Sequence, residues 1–233
     1  MKLVVFDFDG TLARTSGVDG ECFIQAFAEA LQIRDFSTSW TDYEHVTDEG
    51  ITRQIFVERF GRHPYIEEKE KILDHFLGLL SSRYDANNLE FGEVPGAASL
   101  VNQLRESGAW AVALATGAWR RSVEFKIQRA RLPITGIPSA FGEDGPSRES
   151  IVLTAIERAA VHYRQQRFER VLSVGDGPWD VRTARKLSLP FLGIAGEPRS
   201  SALRMDGASH VIEDYRDAAQ CLQYFDEART PAY

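Results

Sequence analysis

Hydrophobic positions along the chain fall into short unbroken runs, separated by stretches whose apolar residues recur three and four apart. The runs at 2–6, 110–115, 171–174 and 191–194 are almost wholly apolar, as strands covered on both faces must be. Weaker runs stand at 139–141 and 211–212. Between them lie helical patterns: 97–107, with Leu100, Val101 and Leu104 on one face; 120–130; 148–161, with Ile151, Val152, Ala155, Ile156 and Ala159; and 180–187. This alternation predicts an α/β chain with a doubly wound parallel sheet.

Residues 16–92 break the rhythm. Three helical patterns, 21–31, 50–60 and 66–84, follow one another there without a convincing strand. The last places Ile72, Leu73, Phe76, Leu77 and Leu80 at amphipathic spacing. The flanks, Thr15-Ser-Gly17 and Gly92-Glu-Val-Pro-Gly96, have hinge composition. The expected organisation is a core of 1–15 and 93–233 carrying an inserted α-helical subdomain at 16–92, too long for a loop. The tail beyond about Phe225 is expected to fray.

Composition narrows the classes. With 233 residues, 43% of them hydrophobic, the chain can bury a full core. A net charge of −7 argues against a nucleic-acid partner held by phosphate attraction. Cys22 and Cys221 stand far apart without CxxC spacing, which reads as two reduced thiols of a cytoplasmic protein. No apolar stretch approaches the roughly 18 residues a membrane span needs, so no membrane partner is expected. Met1 leads directly into the first strand without a basic leader or a cleavage site. His45, His63, His75, His162 and His210 show no metal-ligand spacing.

The chemistry gathers where strands end. In an open parallel sheet, ligands sit outside the carboxyl ends of the strands. Three runs end abruptly in polar or small residues: Asp7-Phe-Asp-Gly-Thr11, Thr116-Gly117 and Gly175-Asp-Gly-Pro-Trp-Asp180. Asp7 and Asp9, two apart in extended backbone, address one side, and Gly10 permits a conformation closed to other residues. A hairpin turn competes for this Asp-Gly pair, but no answering strand follows. Asp176 and Asp180 flank a Gly/Pro loop, although Asp180 also suits helix capping. Four carboxylates in one crevice require a cation, and oxygen ligands favour Mg²⁺ over zinc.

A carboxylate nucleophile, a magnesium ion and an anionic substrate point to phosphoryl transfer. Thr116 offers a hydroxyl and Gly117 an amide at a helix start, a seat for phosphate, unless the pair is only a strand-to-helix turn. Arg148, at the start of another helix, is the candidate fixed positive charge, with a solvated helix residue as its alternative. Gly10 and Thr11 complete the phosphate-binding candidates.

These stretches resemble the haloacid dehalogenase superfamily of phosphohydrolases, in order and over the whole chain, and in particular its phosphoglycolate phosphatase-like members with a small α-helical cap. Asp7-Phe-Asp-Gly-Thr-Leu12 is similar to the family's first motif, Leu114-Ala-Thr-Gly117 to its second and Gly175-Asp-Gly-Pro-Trp-Asp180 to its fourth. The resemblance implies a Rossmann-like core, Asp7 as nucleophile, Asp9 as general acid/base and Thr116 as a phosphate ligand. It implies magnesium held by the Asp7 carboxylate, the Asp9 carbonyl and Asp176, with Asp180 orienting its waters. The third motif departs: lysine is usual there, and Arg148 is the best-placed residue here, a planar fork instead of a point charge.

The implied activity is magnesium-dependent hydrolysis of a small phosphorylated metabolite through an aspartyl-phosphate. Asp9 argues against carbon–halogen cleavage, which needs no leaving-group acid. The absence of lysine between Thr15 and Glu68 argues against a Schiff-base phosphonatase. A phosphomutase of the same superfamily, or a phospho-ligand-binding pseudo-enzyme, are the alternatives. Arg14, the stretch 45–52, and one of Trp119, Arg120 and Arg121 are candidates for touching the substrate, while Lys126, Arg129 and Arg131 read as a solvated face.

Overall fold

A computed structural model describes residues 1–232. Six parallel strands form one sheet: β1 (Lys2–Phe6), β2 (Trp110–Ala115), β3 (Ser139–Ala140), β4 (Val171–Gly175), β5 (Phe191–Ile194) and β6 (His210–Ile212), in the order β3-β2-β1-β4-β5-β6. The order reverses at β1, so the chain winds outward in both directions from its first strand. Alternation along β1 serves two cores. Val4 and Phe6 face a cluster with Leu100, Leu104 and Val123, whereas Leu3 and Val5 face one with Ile151, Ala155 and Ala159. Both faces are therefore covered, which is why the strands read as continuous apolar runs.

Nine α-helices occur among the described residues. Three belong to the insertion: α1 (Ser16–Leu31), α2 (Asp48–Phe60) and α3 (Ile66–Ala86). They enclose their own core, with Phe23, Phe27, Phe56, Ile72 and Phe76 at its centre. On the sheet lie α4 (Ala97–Ser107), α5 (Arg120–Ala130), α6 (Arg148–His162), α7 (Pro178–Lys186), α8 (Arg199–Met205) and α9 (Ala218–Glu227).

Several expectations shift. Helix α1 begins at Ser16, five residues early, and α7 begins at Pro178, whose fixed φ and missing N–H suit a first helical turn. The edge strand β3 is only two residues long. The tail does not fray at Phe225: α9 continues to Glu227, Ala228 is buried, and the Phe191 N–H donates to the Arg229 carbonyl at 3.1 Å.

Register sets the site. Phe6 lies opposite Leu114 on one side and Val174 on the other. The residues just beyond these three positions thus emerge together at the carboxyl edge of the central strands.

Candidate active site

Asp7 follows β1 directly, and its N–H donates to the Val174 carbonyl at 2.9 Å, which extends the sheet one step into the crevice. There Asp7 meets Asp176 and Asp180: one carboxylate oxygen from each lies within 4.8 Å of the others, and all three residues are buried. Gly10 makes the approach feasible. Its φ is +78°, and a Cβ there would stand 2.0 Å from Asp176 Oδ2.

Such crowding is costly, and the protonation equilibria record it. Asp7 is held well above the usual carboxylate range by burial first and then by Asp180, against the opposing charge of Arg148. Asp176 is pushed up to about 7 by burial and by Asp180. Burial also raises Asp180, with Arg148 opposing. Asp7 Oδ1 is buried without a hydrogen bond. Three buried acids around an orphaned oxygen, with oxygen donors only, fit a hard divalent cation.

Arg148 enters the crevice from the first turn of α6, where Ser147 caps the helix by accepting the Ser150 N–H. Its Nη1 lies 2.7 Å from Asp180 Oδ1 and 3.6 Å from Asp7 Oδ1. Its Nε donates to the Val46 carbonyl of the insertion at 2.8 Å. The guanidinium therefore spans both parts of the molecule, as a single-headed lysine could not. The solvated alternative is excluded. Arg199, on α8, donates to Asp176 Oδ2 at 3.0 Å from the rim.

A second charged group lies deeper. Lys126 of α5 is 0% exposed. Its Nζ is 2.7 Å from each oxygen of the Asp9 carboxylate and also donates to Asp19 of α1. Burial works against this ammonium, yet Asp19 and Asp9 hold its pKa above the ordinary lysine value. Thr15 Oγ1 adds a 2.5 Å hydrogen bond to Asp9. The Asp9 carboxylate is thus engaged by Lys126 and Thr15 and is not one of the three acids whose oxygens gather within 4.8 Å.

A cavity of about 280 Å³ joins these parts, lined on the sheet side by Asp7, Asp9, Thr116, Gly117, Arg148 and Asp176. Thr116 Oγ1 accepts the Ala118 N–H at 3.2 Å, so its hydroxyl proton remains free to donate. Asp180 stands just behind the lining. Gly10 and Thr11 do not line the cavity: Gly10 makes room for Asp176, and Thr11 is fully buried. From the stretch 45–52, Val46, Thr47, Asp48 and Ile51 line it. Thr47 also caps α2 there, its Oγ1 accepting the Gly50 N–H at 2.9 Å.

Other candidates fall elsewhere. Arg14 is not in the lining. Trp119 is buried in the insertion's own core, Arg120 lies over the Phe141 ring, and Arg121 pairs with Glu70 and Asp74. The solvated-face reading fails for Lys126, and Arg129 stacks on Phe125. A signal for Lys126 existed: Val123, Lys126 and Ala130 share the buried stripe of α5. Asp19 and Arg199 carried no comparable mark, whereas Asp48 falls within the stretch 45–52 singled out from the sequence.

Comparisons with known proteins bear on the family and the fold. The family model for haloacid dehalogenase-like hydrolases matches residues 1–187. No curated protein matches the chain. Among solved structures, a hydrolase from Pseudomonas syringae is similar at TM-score 0.70 with 19% identity, covering 96% of this chain and 98% of that one. A putative beta-phosphoglucomutase from Bacteroides vulgatus is similar at TM-score 0.66 and 14% identity, over 98% and 90%. A predicted phosphoglycolate phosphatase from Haemophilus somnus follows at TM-score 0.61 and 15% identity, over 96% and 98%. At such identities the likeness is one of fold.

Proposed function

The chain belongs to the haloacid dehalogenase-like hydrolases, and within that family we propose that it is a magnesium-dependent phosphohydrolase of a small phosphorylated metabolite. One observation carries the reading. Asp7, Asp176 and Asp180 bring buried carboxylate oxygens within 4.8 Å of one another, and Arg148 points at two of them. Acids packed this closely need a cation, and the remaining partner of such a cation is an anion such as phosphate.

In this reading residues 16–92 form a cap over a core of 1–15 and 93–233. Asp7, the Asp9 carbonyl and Asp176 would hold Mg²⁺, with Asp180 supporting its waters. When bound, the ion screens repulsion between Asp7 and the phosphate and stabilises charge on the transferring group. Asp7 attacks phosphorus in line, and the bond from phosphorus to the leaving oxygen breaks, giving an aspartyl-phosphate and the alcohol. Asp9 must carry a proton for this step; it passes that proton to the leaving oxygen, and the resulting carboxylate removes one from the water that cleaves the intermediate. Thr116, Gly117 and Arg148 bind the non-bridging oxygens. Thr15 and Lys126 hold the Asp9 carboxylate until it is needed.

Release of inorganic phosphate from p-nitrophenyl phosphate tests the reading. Release should need Mg²⁺, stop with chelator and vanish in Asp7→Asn. A purified, folded protein that releases no phosphate from any ester in the presence of Mg²⁺ would overturn it. Free phosphate as product separates hydrolysis from a mutase, which returns a phosphorylated isomer.

A further inference from the structure

The cavity has two unlike halves. Its sheet side is built for phosphoryl chemistry, so the alcohol of a bound ester must project toward the insertion. There it meets the carboxylates of Asp19 and Asp48 and the rings of Phe23 and Trp40. No lysine or arginine of the insertion lines the cavity. The two arginines that do are both committed to acids on the sheet side, Arg148 to Asp180 and Asp7, and Arg199 to Asp176.

Acidic side chains therefore outnumber basic ones on the alcohol side. Asp19 and Asp48 interact there with one ammonium, that of Lys126, which is shared with Asp9 of the sheet side. Asp48 spends one oxygen on the Trp119 N–H, at 2.8 Å, which leaves the other for a ligand. Burial and mutual repulsion push Asp19 up to about 6 and Asp48 well above its ordinary value. An incoming cation would relieve both, whereas a substrate carboxylate would add a fourth acid. The aromatic neighbours favour the same sign. Phe23 and Trp40 line the cavity together, edge to face with centroids 6.1 Å apart, and aromatic rings attract ammonium groups that come over them.

We infer that the alcohol released by this enzyme carries a positive charge: the preferred substrates are phosphate monoesters of small amino alcohols, recognised by Asp48 and Asp19 beside Phe23 and Trp40. This rests on the phosphohydrolase reading and adds to it the charge of the leaving group. It also sets the protein apart from a hydrolase of carboxylate-bearing esters, with which it shares a fold.

Three esters of nearly equal size separate the cases: 2-aminoethyl phosphate, 2-hydroxyethyl phosphate and carboxymethyl phosphate (phosphoglycolate), with p-nitrophenyl phosphate as a control. The aminoethyl ester should show a kcat/KM about tenfold above the hydroxyethyl ester, and the carboxymethyl ester should be slowest. Asp48→Asn keeps an acceptor for the Trp119 N–H and should shrink the aminoethyl-to-carboxymethyl ratio about tenfold. If p-nitrophenyl phosphate is hydrolysed but the neutral or anionic ester equals or exceeds the aminoethyl ester, the inference is wrong while the phosphohydrolase reading stands. An unchanged ratio in a folded Asp48→Asn is equally damaging. The wild-type series decides alone if that variant does not fold. No phosphate from any of the four esters would remove the parent reading, and this inference with it.

Discussion

Lys126 Nζ lies 2.7 Å from both carboxylate oxygens of Asp9, although 117 residues separate them in the chain. The same ammonium reaches Asp19 of the insertion, so one buried cation ties the first catalytic loop to the helices above it. Removing it strands two largely buried acids, whose side chains are 15% and 14% exposed. Lys126→Met should therefore cost about 3–5 kcal/mol of stability, as measured by urea unfolding. Adding Asp19→Asn removes one of the stranded charges and should recover part of the loss. A double variant no more stable than Lys126→Met alone would show that the pair is not coupled.

Arg148 tests a different link. Its Nη1 serves Asp180 and Asp7, while its Nε holds the Val46 carbonyl. Arg148→Met removes the charge beside Asp7, the proposed nucleophile, and should lower kcat about 100-fold or more. Arg148→Lys keeps the charge but cannot reach both partners. It should retain more kcat than the methionine variant yet show a raised KM, because the tether to the insertion is gone. Steady-state kinetics on p-nitrophenyl phosphate would read both effects. Equal activity in all three proteins would deny Arg148 a part in the chemistry.

How much of this was legible in the sequence depends on which force places each residue. Strands buried on both faces announce themselves, and the runs at β1, β2, β4 and β5 did so. Helix α8 did not, because only Ser200 and Leu203 of Arg199–Met205 are buried and no apolar period results. Asp7, Thr116 and Asp176 were legible because each ends a central strand, where topology alone brings them together. Lys126 was misread because a charged residue on a helix is usually solvated. Only the distant acids Asp9 and Asp19 make its burial tolerable, and distance in sequence hides them. Asp48 stood within the candidate stretch 45–52, but its partner, the backbone N–H of Trp119, is distant in sequence and was hidden likewise.

The crowded acids make the metal-free protein sensitive to pH. Asp176 is pushed up to about 7 and Asp19 to about 6, against about 3.9 for an aspartate in an unfolded chain. Between those values the native state binds more protons than the unfolded state, so stability falls as pH rises from about 4 to 7. In chelator, the urea midpoint should thus be lower at pH 8 than at pH 5. Asp176→Asn should flatten that dependence. Mg²⁺, which favours the ionised acids, should raise the midpoint more at pH 8 than at pH 5. A wild-type midpoint in chelator that climbs over this range, with Asp176→Asn climbing equally, would contradict the assignment.

Trp119 shows what fastens the insertion to the sheet. It follows Thr116-Gly117 in the chain, yet it is 1% exposed and sits within the insertion's core, its ring 5.6 Å from that of Phe23. Its N–H donates to Asp48 Oδ2 at 2.8 Å and its Nε1 to Glu49 Oε2 at 3.2 Å. Nearby, Arg121 makes exposed ion pairs with Glu70 and Asp74 across the same boundary. If packing is the fastener, Trp119→Ala should cost about 3–5 kcal/mol, whereas Arg121→Ala should cost at most about 1 kcal/mol. Limited proteolysis reports the same difference locally. Trp119→Ala should expose the connecting segments at 15–17 and 92–96 to cleavage under conditions that leave wild type and Arg121→Ala intact. Equal protection of all three proteins would mean that the buried indole does not fasten the two parts.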